Sequence, residues 1–149
     1  MDKHARILVV DDDKEITETI RAILEDEGYL VDVAATGNDA VKMTQDQAYD
    51  LAILDIRLPD MEGVKLLTLM KDAVPRMRKI MLTGYPSLQN AVSALNNKAD
   101  AYLIKPVNLE KLLRLVREQL IEQENEREFS EEKVAAFIES RAKEIPYTL

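Results

Sequence analysis

Asp11-Asp12-Asp13, Asp55, Thr83 and Lys105 each stand at the C-terminal end of a short apolar run: Ile7 to Val10, Leu51 to Leu54, Ile80 to Leu82 and Ala101 to Ile104. Carboxylates brought to one place raise each other's pKa unless a cation settles between them. With Asp11, Asp12 and Asp55 ionised the local charge is about −3, and one Mg²⁺ together with Lys105 brings the sum to roughly zero. Few protein ligands are needed, because Mg²⁺ keeps several waters and favours an octahedral oxygen shell shared with phosphate. A carboxylate beside Mg²⁺ and a Lys can attack phosphorus while metal and ammonium absorb charge on the phosphoryl oxygens. Asp55 is the candidate nucleophile, since it directly ends an all-apolar run that fixes its place, and Thr83 offers a hydroxyl to a phosphoryl oxygen. After transfer the sum becomes about −1, so Thr83 and the backbone N–H groups after Asp55 are required as donors.

The composition narrows the chemistry to this kind. The chain has 149 residues, 46% hydrophobic and 32% charged, the profile of one ordinary soluble domain with a short appendage. It has no Cys and a single His near the N-terminus, which removes disulfides, thiolate and His-based zinc sites, Cys nucleophiles and Ser-His-Asp triads. A formal net charge of −8 and a pI near 4.8 give a field that repels a nucleic-acid backbone, so no direct nucleic-acid partner is expected. The apolar runs are far shorter than the ~18 residues of a membrane span, and no signal peptide is visible. No membrane contact and a cytoplasmic location follow as expectations.

The elements that must position these residues alternate strand and helix. The four runs already named and Leu30 to Ala34 are strand-like, and longer stretches of helical period lie between them, the signature of β-α-β units and a parallel sheet. Val31 and Val33 alternate with Asp32, which predicts an edge strand; the runs ending at Val10 and Leu54 are apolar throughout and predict central strands covered on both faces. Ile16, Ile20, Ile23 and Leu24 make a helical stripe with Asp13 as N-cap and Gly28 as C-cap. Further helices are predicted at Asn38 to Gln47, after Gly63 (Val64, Leu67, Met70), from Ser87 (Leu88, Val92, Leu95) and from Asn108 (Leu109, Leu112, Leu113, Val116, Leu120). Ligand sites of open parallel sheets lie beyond the carboxyl ends of the strands. The polar insertions fall there, and the opposite ends carry nothing comparable.

Residues 122–149 differ in composition from 1–121 and are expected to form an extension, not a second domain. Glu122 to Glu128 is acid-rich without apolar spacing, so it reads as a linker. A second amphipathic helix then starts at Ser130, with Val134, Phe137, Ile138 and Ala142 on one face. A lone helix of ~15 residues is marginal in water, so Phe137 and Ile138 need a surface to cover. That surface is the chain's own domain, a second copy or another partner, unless the segment is a linker toward an output domain outside these residues; a long coiled coil is disfavoured, because the heptad positions after Leu120 fall on Gln123, Glu126 or Arg127.

Taken together, Ile7 to Asp13, the stretch Asp55-Ile56-Arg57-Leu58-Pro59-Asp60-Met61-Glu62-Gly63, Met81 to Gly84 and Ala101 to Pro106 stand in an order and spacing that resemble the response-regulator receiver domain of two-component signalling, over about residues 5 to 121. The resemblance implies a three-layer α/β fold with a doubly wound, five-stranded parallel sheet of order 2-1-3-4-5, flavodoxin-like or CheY-like. It implies that Asp55 accepts a phosphoryl group from a sensor histidine kinase. Asp12, Asp55 and the main-chain carbonyl of Arg57 would hold Mg²⁺ (or Mn²⁺), and Asp11 would reach the metal through water. Lys105 would pair with the phosphoryl group, and the Lys105–Pro106 peptide would be cis. The switch would use Thr83, whose hydroxyl moves toward the phosphoryl group and vacates space for the ring of Tyr102, altering the face formed by the helix from Ser87, the fifth strand and the helix from Asn108.

A homodimer is expected, if at all, through that face or through the C-terminal helix. Ser87 to Asn97 contains no acid or base, so contacts there should be apolar or amide-based rather than ionic. Lys98 stands where many relatives have Gly, so either Asn97 turns left-handed or the turn is strained. Arg57 and Tyr85, each two residues past a key position, are expected to shield the phosphoryl group from water. Two other classes compete. An aspartate-nucleophile phosphatase of the haloacid-dehalogenase kind needs an acid two residues after the nucleophile, where this chain has Arg57. A receiver-like binding module that works without phosphorylation has no use for the set Asp12, Asp55, Thr83 and Lys105.

Overall fold

The computed structural model describes residues 4–73, 75–84, 87, 93, 96 and 99–144. Five strands, β1 (Arg6–Val10), β2 (Leu30–Ala34), β3 (Leu51–Asp55), β4 (Arg78–Thr83) and β5 (Ala101–Ile104), form one sheet of order β2-β1-β3-β4-β5. Every pairing is parallel, with Val9 opposite Val33 and Ile53, and Asp55 opposite Leu82. The expected central strands are central and buried throughout apart from Arg6, and β2 lies at an edge with Leu30 exposed.

Successive residues of a strand face opposite sides, and here that alternation builds two cores. Leu8, Val10, Ala52, Leu54 and Met81 pack on one face with Ala40 of α2 (Gly37–Asp46) and with Leu66 and Leu67 of α3 (Gly63–Leu69). Ile7, Val9, Ile53, Ile80 and Leu82 pack on the other with Ile20 and Leu24 of α1 (Lys14–Asp26) and with Leu112 and Val116 of α4 (Leu109–Glu144). Each fully buried Leu, Ile, Val or Met side chain among these contributes about 1.5–3 kcal/mol. The result is the expected three-layer arrangement.

The predicted caps are in place. Asp13 accepts the N–H groups of Glu15 and Ile16, and Gly28, with φ of +96°, turns the chain after α1. Asn108 Oδ1 accepts the N–H of Lys111 at 3.0 Å and so opens α4. Of the helix predicted from Ser87, Leu88, Val92 and Leu95 lie outside the described residues, as do Tyr85, Asn97 and Lys98; within that stretch Ser93 and Asn96 are helical. No described helix is long and apolar enough to cross a membrane.

Two differences from the sequence reading stand out. First, the acid-rich stretch expected as a linker continues α4, which runs unbroken for 36 residues to Glu144. Its body-facing stripe does not end at Leu120 but changes from apolar to polar. Gln123 is 5% exposed and donates to the carbonyls of Asp50 and Arg76, both at 2.9 Å, and Glu126 accepts from Arg78 at 2.7 Å. Second, the amino ends of the strands are not featureless. Arg76 makes a two-pronged contact with Asp100 (3.0 and 2.8 Å), and the buried Arg78 reaches Gln119 at 2.9 Å as well as Glu126. Beyond this base the helix is exposed, including Phe129, Val134, Phe137 and Ile138.

Candidate functional site

Strand order reverses about β1, whose neighbours are β2 and β3, so a crevice opens beyond the carboxyl ends of β1 and β3. Asp11 follows β1 directly, Asp55 is the last residue of β3, Thr83 the last of β4, and Lys105 follows β5. Parallel pairing brings all four to one rim although they span most of the chain.

Lys105 joins the acids. Its Nζ donates to Asp11 Oδ2 at 2.9 Å and to Asp55 Oδ2 at 3.1 Å. Each carboxylate is fixed through its second oxygen: Asp13 N–H donates to Asp11 Oδ1 at 2.9 Å, and Arg57 N–H donates to Asp55 Oδ1 at 3.2 Å. Asp11 and Asp55 are buried, whereas Asp12 is exposed and open to solvent. Burial pushes the Asp11 carboxyl above the ordinary 3.8, with the charge of Asp55 adding to the effect and Lys105 opposing it. Burial would by itself push the Lys105 ammonium down, but Asp11 and Asp55 outweigh it and hold its pKa above the ordinary lysine value.

One carboxylate oxygen from each of Asp11, Asp12 and Asp55 lies within 4.8 Å of the others. An all-oxygen, anionic donor set open on the side of Asp12 fits a hard divalent cation that keeps waters in its shell. Asp13 is spent as the cap of α1 and takes no part.

Thr83 is fully buried, and its carbonyl accepts the N–H of Lys105 at 2.7 Å, so the backbone of the two positions is coupled across the β4–β5 edge. The Lys105–Pro106 peptide is cis. Tyr102 packs on the core face that contains Met81 and Leu54. Among the described residues, its hydroxyl is a buried polar atom without a hydrogen-bond partner. The side chain of Arg57 is exposed; its proposed shielding companion Tyr85 lies outside the described residues.

The loop from Ile56 to Glu62 completes the rim. Gly63 N–H donates to Ile56 O at 2.7 Å, and a Cβ at Gly63 would overlap the main-chain oxygen of Asp55, so the loop can close only on glycine. Asp60 was not among the residues singled out from the sequence, yet its carboxylate accepts the N–H groups of Gly37 and Asn38 at 2.9 and 2.8 Å. The partners are more than twenty positions apart, and no spacing rule joins them.

Comparison with known proteins gives a consistent picture. The family model described as response regulator receiver domain matches residues 7–117. The alginate biosynthesis transcriptional regulatory protein AlgB of Pseudomonas aeruginosa is 38% identical over 119 residues, which is 80% of this chain and 26% of that protein. The CheY-like receiver domain protein of Methanospirillum hungatei superposes with a TM-score of 0.77 at 48% identity, covering 83% of this chain and 98% of that one. A response regulator of Burkholderia pseudomallei, solved with a phosphorylated aspartic acid, calcium ion and citrate, superposes with a TM-score of 0.68 at 30% identity, covering 84% of this chain and 74% of that one. The chain thus spans between about a quarter and a half of the length of the curated relatives it matches. Those relatives are transcriptional regulators, so the expectation of no nucleic-acid partner loses its support. The charge of −8 describes the field of these 149 residues and not that of a longer protein.

Proposed function

The chain belongs to the response-regulator receiver family, the phosphoacceptor domain of two-component systems, and from that premise we propose that Asp55 is its phosphoryl acceptor, Lys105 its phosphoryl-pairing cation, and a sensor histidine kinase in the cytoplasm its phosphoryl source. The observation that carries this reading is the placement of Lys105 Nζ between Asp11 and Asp55 at 2.9 and 3.1 Å, beside three mutually close carboxylates. Asp12, Asp55 and the main-chain carbonyl of Arg57 would hold Mg²⁺ or Mn²⁺, with Asp11 acting through water. When bound, the metal supplies a positive centre for the phosphoryl oxygens.

The residues of the chain divide the remaining work. Arg57 N–H fixes one oxygen of Asp55, which leaves Oδ2, now held by Lys105, as the attacking atom. On transfer a bond forms from Asp55 Oδ2 to phosphorus as the bond to the phosphohistidine nitrogen breaks, and the ammonium of Lys105 passes from the carboxylate to a phosphoryl oxygen. The rim then carries one more negative charge, which the hydroxyl of Thr83 and the backbone N–H groups after Asp55 help to offset. Hydrolysis by water returns the free carboxylate, so the domain catalyses its own phosphorylation and dephosphorylation without turning over a separate substrate.

Tyr102 supports the switch assigned to Thr83 and Tyr102. A buried hydroxyl left without a partner costs about 1–3 kcal/mol, which narrows the gap between the ring's inward position and an outward one that wets the hydroxyl. Movement of Thr83 toward the phosphoryl group would tip that balance and alter the face that carries β5 and α4. Residues 1–121 form the receiver on this reading, and 122–149 its extension.

Incubation of the full chain with Mg²⁺ and a small acyl-phosphate donor should add one phosphoryl group, seen as a mass increase that is lost in Asp55→Asn. An unchanged increase in Asp55→Asn would overturn the assignment.

A further inference from the structure

The loop 56–62 gives the site two main-chain groups at one residue: the N–H of Arg57, which bonds Asp55, and the Arg57 carbonyl of the proposed metal set. A main-chain ligand cannot be re-aimed by a rotamer, so its position is that of the loop. Two bonds fix the loop's internal shape, Gly63 N–H to Ile56 O at 2.7 Å and Leu58 N–H to Met61 O at 3.0 Å, and Ile56 N–H to Leu82 O at 2.9 Å ties its first residue to β4, but none of the three ties the far side of the loop to the rest of the domain.

Asp60 does so. Each of its carboxylate oxygens takes a different N–H of the first turn of α2, Oδ1 from Gly37 at 2.9 Å and Oδ2 from Asn38 at 2.8 Å. Thr36 Oγ1 takes the next, from Asp39, at 3.1 Å, so the first three donors of the helix are all used. Met61 lies over the same spot: a Cβ on Gly37 would come 2.5 Å from its Sδ. A negative charge at this end of a helix is favourable, and the two N–H donors hold the Asp60 carboxyl below the ordinary carboxylate value, so the clamp stays ionised near neutral pH.

We infer that Asp60 is a positioning residue for the metal site, fixing the Arg57 main chain beside Asp55 by clamping the loop to the start of α2. This inference rests on the reading of the site as a Mg²⁺-dependent phosphoacceptor.

The test is calorimetric titration of the full chain with Mg²⁺ for the wild type, Asp60→Asn and Asp60→Ala, with thermal melts in EDTA and phosphorylation rates from a small donor at limiting and saturating Mg²⁺. Groups that orient a metal's ligands typically cost tenfold or more in affinity when removed, so Asp60→Ala should weaken Mg²⁺ binding about tenfold. Asp60→Asn keeps one acceptor for one of the two donors and should lose about threefold. Both variants should melt cooperatively in EDTA, and their phosphorylation rates should recover to within about twofold of wild type at saturating Mg²⁺, since the chemical groups are intact. Wild-type affinity in Asp60→Ala would overturn the inference. If that variant does not fold, Asp60→Asn decides alone, and wild-type affinity there overturns it. Absence of Mg²⁺ binding by the wild type would instead overturn the reading of the site beneath it.

Discussion

Asp11 shows at the scale of one residue why the rim needs a cation. It is 2% exposed, and its carboxyl is pushed above the ordinary 3.8 by burial and by Asp55, against the pull of Lys105. The folded chain therefore binds this proton more tightly than the unfolded chain does. The stability so contributed is fully present below 3.8 and is lost as pH rises through the folded-state value. At neutral pH without a divalent ion, the ionised carboxylate opposes folding. Asp11→Asn should then melt higher than wild type in EDTA at pH 7. The gain should vanish in melts below pH 3.8, where both chains are neutral at this position. A gain that persists unchanged into acid would place its origin in packing rather than in charge.

At the scale of the element, α4 marks where the sequence stops being readable. Strands β1, β3 and β5 could be located from apolar runs, and the acids at the carboxyl ends of β1 and β3 follow from the same pattern, because burial on both faces leaves those strands no polar residue until they emerge; β5, an edge strand with Ile104 exposed, shows only the run. Arg78 and Lys79 belong to β4 and are 7% and 3% exposed, yet their charge hides them from any hydrophobic pattern. The same blindness covers Gln123 and Glu126. They continue the stripe of Leu112, Val116 and Leu120 but meet carbonyls and guanidinium groups, so a search for apolar period sees the helix end there. The Asp60 clamp escaped for another reason: it joins the loop 56–62 to the first turn of α2, and the two become neighbours only in the finished fold. Gln123→Ala would strip the Arg76 carbonyl of its side-chain donor while Asp50 O keeps the N–H of Arg78, a loss of about 1–2 kcal/mol. Hydrogen exchange should show amides around 122–126 losing protection in the variant, while those past Phe129 exchange fast in both chains, as expected of a helix with no body beneath it. Equal protection up to residue 126 in variant and wild type would assign the anchoring of this stretch to Arg78 and Glu126 instead.

At the scale of the whole molecule, the three acids and the lysine come from the ends of β1, β3 and β5, and only the assembled sheet brings them together. A divalent ion held there, as proposed, would bind the native chain and find no matching site in the unfolded one, so binding and folding would be linked. At a hundredfold excess over its dissociation constant, such a ligand stabilises by about 2.7 kcal/mol, which for a chain of this length is a rise in Tm of roughly 5–10 °C. Added NaCl at matched ionic strength acts differently. It screens the net −8 of the surface but cannot enter the space among three carboxylates within 4.8 Å as a divalent oxygen-coordinated ion does. Melts in Mg²⁺, in EDTA and in matched NaCl should separate the two effects, and the Mg²⁺ gain should shrink as the pH is lowered and protons compete for the carboxylates. Because the Asp60 clamp is intact in every one of these melts, equal Tm in Mg²⁺ and NaCl would count against the metal site itself and not against the loop that shapes it.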